Sequence, residues 1–292
     1  MTSTWPSLVL EPPVADTAPF PRDLLKTEIA LVTGGGSGLG LGMAMGLVQA
    51  GAAVALLGRT LAKTEAAAAR INATGGCAIG VAADVRDPQA VASAFDAVEA
   101  ELGPISILAS NAGANFPVLA ESMSANAWRA VTRIAIDGSF FAATEFARRR
   151  IAAGLGGAIV NNSAQYVWSG FPGDAHSAAA KAAIVTMTAA LAAEWKLHGI
   201  RVNCIAAGFF PHADSTNGDD PEVLKRLALM MPMGRTGRMH ELGWAAAFLC
   251  SPFAAGITGE TLVVDGAERL RRSLMHPDFV APRDRASIWG YI

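Results

Sequence analysis

Short apolar runs alternate with longer helical patterns along most of this 292-residue chain, and that alternation limits its fold more than any other feature. Seven runs have the length and composition of buried strands: 28–34, 52–58, 77–85, 105–113, 157–163, 199–208 and 260–266. Helical patterns lie between them, at 38–50, 60–72, from Pro88 onward, and at 124–151, 177–198 and 239–250. Strands that alternate with helices form a parallel sheet with both faces covered. The sequence therefore predicts an α/β fold with a seven-stranded parallel sheet.

The same pattern divides the chain into a core and two ends. Residues 1–27 contain five prolines, which exclude a helix or a central strand, and we expect an extended arm. Residues 28–266 carry the whole alternation and predict a single doubly wound domain of Rossmann type. Within it, the polar stretch at about 208–238 is long for a connection and predicts a lid over a site. Residues 267–292 form a tail whose arginines could reach a neighbouring subunit or a substrate phosphate.

Composition and charge exclude several classes of function. Apolar residues make up 52% of the chain, which is enough for a large core, and the net charge is −2. The one basic cluster, 148–150, is too small for a nucleic-acid surface. Three cysteines without a CxxC pair indicate buried thiols in a reducing compartment, and the five histidines show no metal-ligand spacing. No apolar run is long enough to span a bilayer and no signal peptide is visible, so we expect a cytoplasmic protein without membrane contact.

A glycine-rich turn, TGGGSGLG at 33–40, joins the first strand to the first helix. Backbone amides at such a helix N-terminus can face a pyrophosphate, although a tight turn without a ligand is the alternative. The G-x-G-x-x-G fingerprint is absent, and the spacing is Gly34-x3-Gly38-x-Gly40. Together with Asn-Ala-Gly at 111–113, after the fourth strand, this spacing resembles the short-chain dehydrogenase/reductase family. The resemblance covers about residues 28–266 and implies a nicotinamide cofactor.

The end of the second strand indicates which nicotinamide cofactor is bound. An acid about 20 residues beyond the glycines would bind the adenosine ribose, but here Arg59 follows the strand and the first acid is Glu65. An arginine can bind a 2′-phosphate, so we predict NADP(H); a merely solvated arginine is the alternative. The resemblance also implies that Asp84 meets the adenine ring and Asn111 holds the fourth-strand turn. The predicted cofactor site comprises Thr33, Gly34, Gly36, Ser37, Gly38, Leu39, Gly40, Arg59, Asp84, Val85, Asn111, Ala112, Gly113, Lys181 and Gly208.

The family's usual catalytic residues are largely replaced in this chain. Most members carry a tyrosine four residues before a lysine, which places both on one helical face. Here the lysine is Lys181, but the residue four places before it is Ser177. The usual serine position is Ala164 and the usual asparagine position is Ala135. A serine hydroxyl is far too weak an acid to replace the phenol directly.

Tyr166, just after the fifth strand, offers the missing phenol. The mitochondrial-type 2,4-dienoyl-CoA reductases carry a serine four residues before the lysine and a tyrosine 11 residues before that serine, and Tyr166 and Ser177 have this spacing. The resemblance implies that Tyr166 donates to a thioester oxygen, that Lys181 holds the nicotinamide ribose, and that Ser177 assists. That branch has an asparagine where this chain has Asp137, which we include as the fourth catalytic candidate. An ionised Asp137 would repel an enolate, so it is either protonated by burial or directed elsewhere.

These observations predict an NADPH-dependent reductase of 2,4-dienoyl-CoA-like acyl thioesters. One alternative is a carbonyl or alcohol oxidoreductase of the 3-oxoacyl type, with Tyr166 as the acid. Another is a member that binds cofactor without turnover, since three of the four usual catalytic positions have changed. The helices at 124–151 and 177–198 are rich in small apolar residues, and we expect them to pair with copies of themselves in a dimer or tetramer.

Overall fold

The computed structural model describes residues 11–212 and 220–270. Within them, seven strands form one sheet in the order β3-β2-β1-β4-β5-β6-β7, and every neighbouring pair is parallel. The strands are β1 (Ile29–Thr33), β2 (Ala53–Gly58), β3 (Cys77–Ala82), β4 (Ile107–Ser110), β5 (Gly157–Ala164), β6 (Ile200–Ala207) and β7 (Thr261–Val264). The predicted α/β fold with a seven-stranded parallel sheet is confirmed.

The helices cover the sheet on both sides. They are α1 (Gly38–Gln49), α2 (Leu61–Asn72), α3 (Pro88–Leu102), α4 (Ala125–Thr132), α5 (Gly138–Ala152), α6 (Ala175–Trp195), α7 (Pro221–Met230) and α8 (Met239–Cys250). A π-helical turn, Arg133–Asp137, joins α4 to α5. Helix α6 begins two residues before the predicted start, and a 3-10 turn over Lys196–His198 follows it. No helix among the described residues is both long and apolar enough to cross a lipid bilayer.

Alternation along the strands places two large apolar clusters on the two faces of the sheet, and a smaller third cluster contains Ala135, Ala180, Ile184 and Cys204. In β1, Val32 belongs to the cluster that α1, α2 and α8 cover, whereas Leu31 belongs to the cluster that α3, α5 and α6 cover. Successive side chains of a strand point to opposite faces, so each buried strand contributes to both clusters. This explains why the strands appear in the sequence as continuous apolar runs rather than as alternating ones.

Strand order places a crevice at the centre of the sheet. β1 pairs with β2 on one side and with β4 on the other, so the chain reverses its direction of winding between β1 and β4. In open parallel sheets, ligands bind outside the carboxyl ends of the strands at such a point. Parts of the predicted arm, lid and tail, residues 1–10, 213–219 and 271–292, lie outside the described residues.

Candidate active site

The two loops that the sequence analysis assigned to the cofactor are bonded to each other at the β1/β4 edge. The Thr33 hydroxyl accepts hydrogen bonds from the backbone N–H groups of Asn111 (2.9 Å) and Ala112 (3.0 Å). The Asn111 amide in turn donates to the carbonyls of Thr33 (3.2 Å) and Gly34 (3.4 Å). These bonds hold the glycine turn and the Asn-Ala-Gly turn in one fixed arrangement.

The glycine turn needs residues without side chains. Gly34 and Gly38 have φ angles of 65° and 52°, in the left-handed region that favours glycine. A Cβ atom on Gly40 would lie 2.5 Å from the Asn111 amide nitrogen and against the Gly34 carbonyl. Helix α1 starts here with Ser37 at its N-cap, and the Ser37 side chain makes no capping bond. The backbone is therefore open to a close ligand, which fits the pyrophosphate of a dinucleotide.

A cavity of about 120 Å³ extends from this turn toward β2 and β3. Its position at the carboxyl ends of these strands fits the adenosine half of the cofactor. Arg59 is exposed at this cavity. Residues of the predicted cofactor site that line it are Gly34, Arg59, Asp84, Val85, Ala112 and Gly113.

Asp84 is paired with a residue that the sequence analysis did not single out. The Arg86 side chain donates to both oxygens of the Asp84 carboxylate, at 2.5 to 3.0 Å. This hydrogen bonding lowers the pKa of Asp84 to about 2, although burial opposes the shift. An adenine at this position would thus meet a carboxylate–guanidinium pair. The sequence signal for this pair is that Asp84 and Arg86, two residues apart and opposite in charge, follow a buried strand.

A larger cavity, of about 310 Å³, lies at the carboxyl ends of β5 and β6. Tyr166 and Lys181 both line it, as do Leu39 and Gly208 of the predicted cofactor site. One part of its wall is apolar, formed by Phe116, Pro117, Phe171, Ala207 and Phe209, and its other polar side chains are Asn115, Asn162, Ser163, Gln165, Asp174 and Glu268. This cavity therefore combines an apolar wall with polar side chains.

The Tyr166 hydroxyl lies 2.9 Å from the Ser177 hydroxyl. Tyr166 stands on a 3-10 turn, Gln165–Trp168, directly after β5, and its ring stacks on Phe171 with 5.3 Å between centroids. Burial raises the pKa of Tyr166, and the charge of Asp174 adds to this effect, whereas the Ser177 hydrogen bond opposes it. The phenol is therefore protonated near neutral pH and suited to donate a hydrogen bond.

Lys181 lies between this phenol and the cofactor loops. Its ammonium donates a 2.6 Å hydrogen bond to the Asn162 carbonyl, and a Cβ atom on Gly113 would lie 3.9 Å from the ammonium nitrogen. Burial lowers the pKa of Lys181 to about 8. The position next to the Asn-Ala-Gly turn is where a lysine could hold the hydroxyls of the nicotinamide ribose.

Asp137 is directed away from the other three catalytic candidates. Its carboxylate lies 3.6 Å from the Arg133 guanidinium, one helical turn back, and its side chain is 43% exposed. It is not among the residues that line the 310 Å³ cavity. The sequence left open whether Asp137 is protonated by burial or directed elsewhere. In the structure its side chain is directed toward Arg133.

Several polar residues of the site were not found by sequence reasoning. The Asn162 amide donates to the Asn111 side-chain oxygen at 2.8 Å and so ties β5 to the cofactor loop. The sequence signal for Asn162 is the polar run Asn-Asn-Ser at the end of a buried strand. Asp174 and Glu268 come from different segments, before α6 and after β7, and no spacing in the sequence links them. No group of three or more metal-ligating side chains in 11–212 and 220–270 could hold a metal ion.

Comparisons with known proteins agree with this arrangement. A sequence model of the family described as enoyl-(acyl carrier protein) reductase matches residues 34–267. The chain is 32% identical to a probable 2,4-dienoyl-CoA reductase of Caenorhabditis elegans over 94% of this chain and 91% of that one. It is 38% identical to galactitol 2-dehydrogenase of Cereibacter sphaeroides over 81% and 93%. The crystal structure of a Burkholderia cenocepacia gluconate 5-dehydrogenase with NADP and tartrate has a TM-score of 0.78 at 35% identity, covering 85% and 97%.

A parallel sheet with a glycine turn at its switch point, next to a buried lysine and a phenol, defines a nicotinamide-dependent oxidoreductase. The chain belongs to the short-chain dehydrogenase/reductase family. Several 2,4-dienoyl-CoA reductases are among its relatives, at 32–35% identity over most of the chain.

Proposed function

We propose that this protein is an NADPH-dependent reductase of α,β-unsaturated acyl thioesters of the 2,4-dienoyl-CoA type. The observation that carries the proposal is the 2.9 Å contact between the Tyr166 and Ser177 hydroxyls, which have the spacing of the dienoyl-CoA reductases. Tyr166 lines the same cavity as Lys181. In this assignment Tyr166 binds the thioester oxygen, Ser177 orients the phenol, and Lys181 holds the nicotinamide ribose. Asp137 would act on substrate only after turning from Arg133.

The chemistry needs a donor at the substrate oxygen more than it needs a base. When bound, a reduced nicotinamide would supply a hydride to the remote carbon of the conjugated system, and negative charge would then develop on the thioester oxygen. The Tyr166 phenol, aimed at that oxygen, stabilises the developing negative charge. A proton from solvent then reaches carbon, so the substrate gains one hydride and one proton in total. Ser177 and the stack on Phe171 fix the phenol in the donating position.

Two properties of the cavity favour this reaction over oxidation of an alcohol or a sugar acid. The raised pKa of Tyr166 keeps the phenol protonated, whereas alcohol oxidation needs a base to accept the hydroxyl proton. Among the described residues that line the cavity, Lys181 is the only basic one, and Asp174 and Glu268 line it too, which disfavours a substrate carboxylate. The apolar wall suits an acyl chain.

The second candidate is a carbonyl or alcohol oxidoreductase. It is favoured by the galactitol 2-dehydrogenase relative and by the likeness to gluconate 5-dehydrogenase. In that reaction Tyr166 would protonate a ketone oxygen directly.

A substrate panel separates the candidates. NADPH consumption is measured with 2,4-dienoyl-CoA, 2-enoyl-CoA and 3-oxoacyl-CoA, and NADP⁺ reduction with galactitol and gluconate. We expect the highest kcat/KM with 2,4-dienoyl-CoA. Preference for the 3-oxo thioester or a polyol would replace the proposal with the second candidate. Tight NADPH binding without turnover of any substrate would indicate a member that binds cofactor only.

A further inference from the structure

Asp174 occupies a helix N-cap but does not cap the helix. Aspartate at this position normally accepts hydrogen bonds from the first free N–H groups. Two other helices of the chain show this arrangement: Asp87 accepts from N–H groups of α3 at 2.9 and 3.3 Å, and Asp220 from those of α7 at 2.9 and 3.4 Å. Asp174, at the start of the 21-residue α6, has φ −127° and ψ 35°, and its side chain makes no capping bond.

That carboxylate lines the 310 Å³ cavity together with Tyr166, and Asp174 is only 2% exposed. Burying a carboxylate costs free energy, and here capping does not offset that cost. A buried negative charge acts over a longer range than an exposed one, because water screens it less. Because Asp174 and Tyr166 line the same cavity, the charge of Asp174 adds to the rise in the pKa of Tyr166.

We propose that Asp174 is a positioning residue that keeps the Tyr166 phenol in its protonated, donating form and so commits the site to reduction. The proposal rests on the proposed function, in which Tyr166 is the donor to the substrate oxygen. A phenolate beside a carboxylate would place two negative charges in one cavity, which is unfavourable. Oxidation of an alcohol through Tyr166 needs that phenolate, whereas stabilising a thioester oxyanion needs the phenol.

The other polar groups around Tyr166 do not replace Asp174 in this role. Ser177 favours the phenolate by hydrogen bonding, because its hydroxyl can donate to it. Lys181 has a pKa of about 8, so it has largely lost its charge where a phenol titrates. On the same helix, His176 accepts the Ser177 N–H through Nδ1 at 2.8 Å. Glu268, from the segment after β7, also lines the cavity and accepts the Phe209 N–H at 3.2 Å.

The chain allows a direct test because it has only two tyrosines, Tyr166 and Tyr291. In a Tyr291→Phe background, the ultraviolet absorbance of tyrosinate reports the ionisation of Tyr166 alone. We expect a pKa above the ordinary value in this parent, a lower pKa in Asp174→Asn and Asp174→Ser, and a pKa restored toward the parent in Asp174→Glu. Circular dichroism and NADPH affinity show that each variant is folded. A parent pKa at or below the ordinary value, or an unchanged pKa in the folded neutral variants, would overturn the proposal.

Kinetics provide the second readout. Lys181, with a pKa of about 8, gives the first alkaline limb of the pH profile for 2,4-dienoyl-CoA reduction, and Tyr166 gives the one above it. The Tyr166 limb should move to lower pH in Asp174→Asn, with a loss of about three- to tenfold at a pH within that limb, tenfold being the effect of one pKa unit. Asp174→Glu should restore the parental limb. The titration can show that Asp174 raises the pKa of Tyr166 while neither the parent nor any variant reduces a dienoyl thioester. In that case the proposed function fails and the electrostatic role of Asp174 stands. If the limb does not move in an active Asp174→Asn variant, Asp174 does not commit the site to reduction by keeping Tyr166 protonated.

Discussion

At the scale of single residues, the site combines a phenol that burial keeps protonated with a lysine whose pKa burial lowers to about 8. The resemblance to the 2,4-dienoyl-CoA reductases was sufficient to propose Tyr166, Ser177 and Lys181 together, because the three residues have the spacing of that branch. The spacing gave no information on Asp174 or Glu268, since their proximity depends on how separate segments pack. It also left the direction of Asp137 open, which the contact with Arg133 decides.

The buried ammonium of Lys181 predicts a trade-off between stability and function. Its pKa falls from 10.5 to about 8, so the charged form is destabilised in the fold. This penalty is fully present below about pH 8 and disappears as the pH rises toward 10.5. We expect Lys181→Met to raise the free energy of unfolding of the cofactor-free protein at pH 7 by about 1–3 kcal/mol and to weaken NADPH binding. The gain, measured by urea denaturation, should shrink above pH 8; a gain that grows with pH would contradict this account.

Arg59 predicts the choice of cofactor. Its exposed guanidinium at the adenosine cavity is placed to bind a 2′-phosphate in a charge-assisted fork. Arg59→Ala should weaken NADPH binding by at least about tenfold, which is the scale of losing one hydrogen bond to a charged group. NADH binding should stay within about twofold of that of the wild-type protein. Fluorescence titration with both cofactors measures this, and Arg70→Ala, on the exposed side of α2, serves as a control. Equal affinities of the wild-type protein for NADPH and NADH would exclude the NADP(H) assignment.

At the scale of elements, the strands and most helices followed from periodicity, whereas α7 did not. The sequence analysis treated 208–238 as a polar connection, yet Pro221–Met230 is helical. Asp220 caps this helix and Pro221 occupies its first turn, a pair that is a recognised start signal. The signal was hidden because the helix is short and follows a run of polar residues. The role of this region as a lid remains a prediction.

The contact between α1 and α8 gives a prediction about packing. Gly46 and Gly243 face each other so closely that a Cβ atom on Gly46 would lie against the Gly243 backbone, with 2.5 Å to its Cα atom. A backbone cannot yield as a flexible side chain can, so Gly46→Ala should lower the free energy of unfolding by about 1–3 kcal/mol, despite the better helix propensity of alanine. Gly256→Ala is the control, because nothing lies within 4 Å of its added Cβ. Equal stability of the two variants in urea denaturation would refute close packing at this contact.

At the scale of the whole molecule, the parallel order of the sheet was predictable because seven strands alternate with helices and have few other ways to pair. Assembly was predicted from small apolar residues on the two long helical patterns. The structure adds two exposed aromatic side chains on this surface, Trp128 of α4 (42% exposed) and Phe140 of α5 (44%). Large apolar side chains exposed on packed helices commonly mark contacts between subunits.

We therefore expect a dimer or a tetramer in solution. Light scattering should give a mass of two or four times the 30.1 kDa chain. Phe140→Glu should shift the distribution toward smaller species, because a carboxylate at a subunit contact would be buried without a partner. A monomeric wild-type mass at micromolar concentration would rule this assembly out.

The central claim is that the Tyr166 hydroxyl donates to the substrate oxygen. Steady-state kinetics of Tyr166→Phe with 2,4-dienoyl-CoA and NADPH test this claim most directly. The substitution removes one hydroxyl and retains the ring that stacks on Phe171. We predict a fall in kcat of at least about tenfold, the usual scale for losing a positioned donor, with NADPH affinity nearly unchanged. A kcat equal to that of the wild-type protein would contradict the assignment of Tyr166.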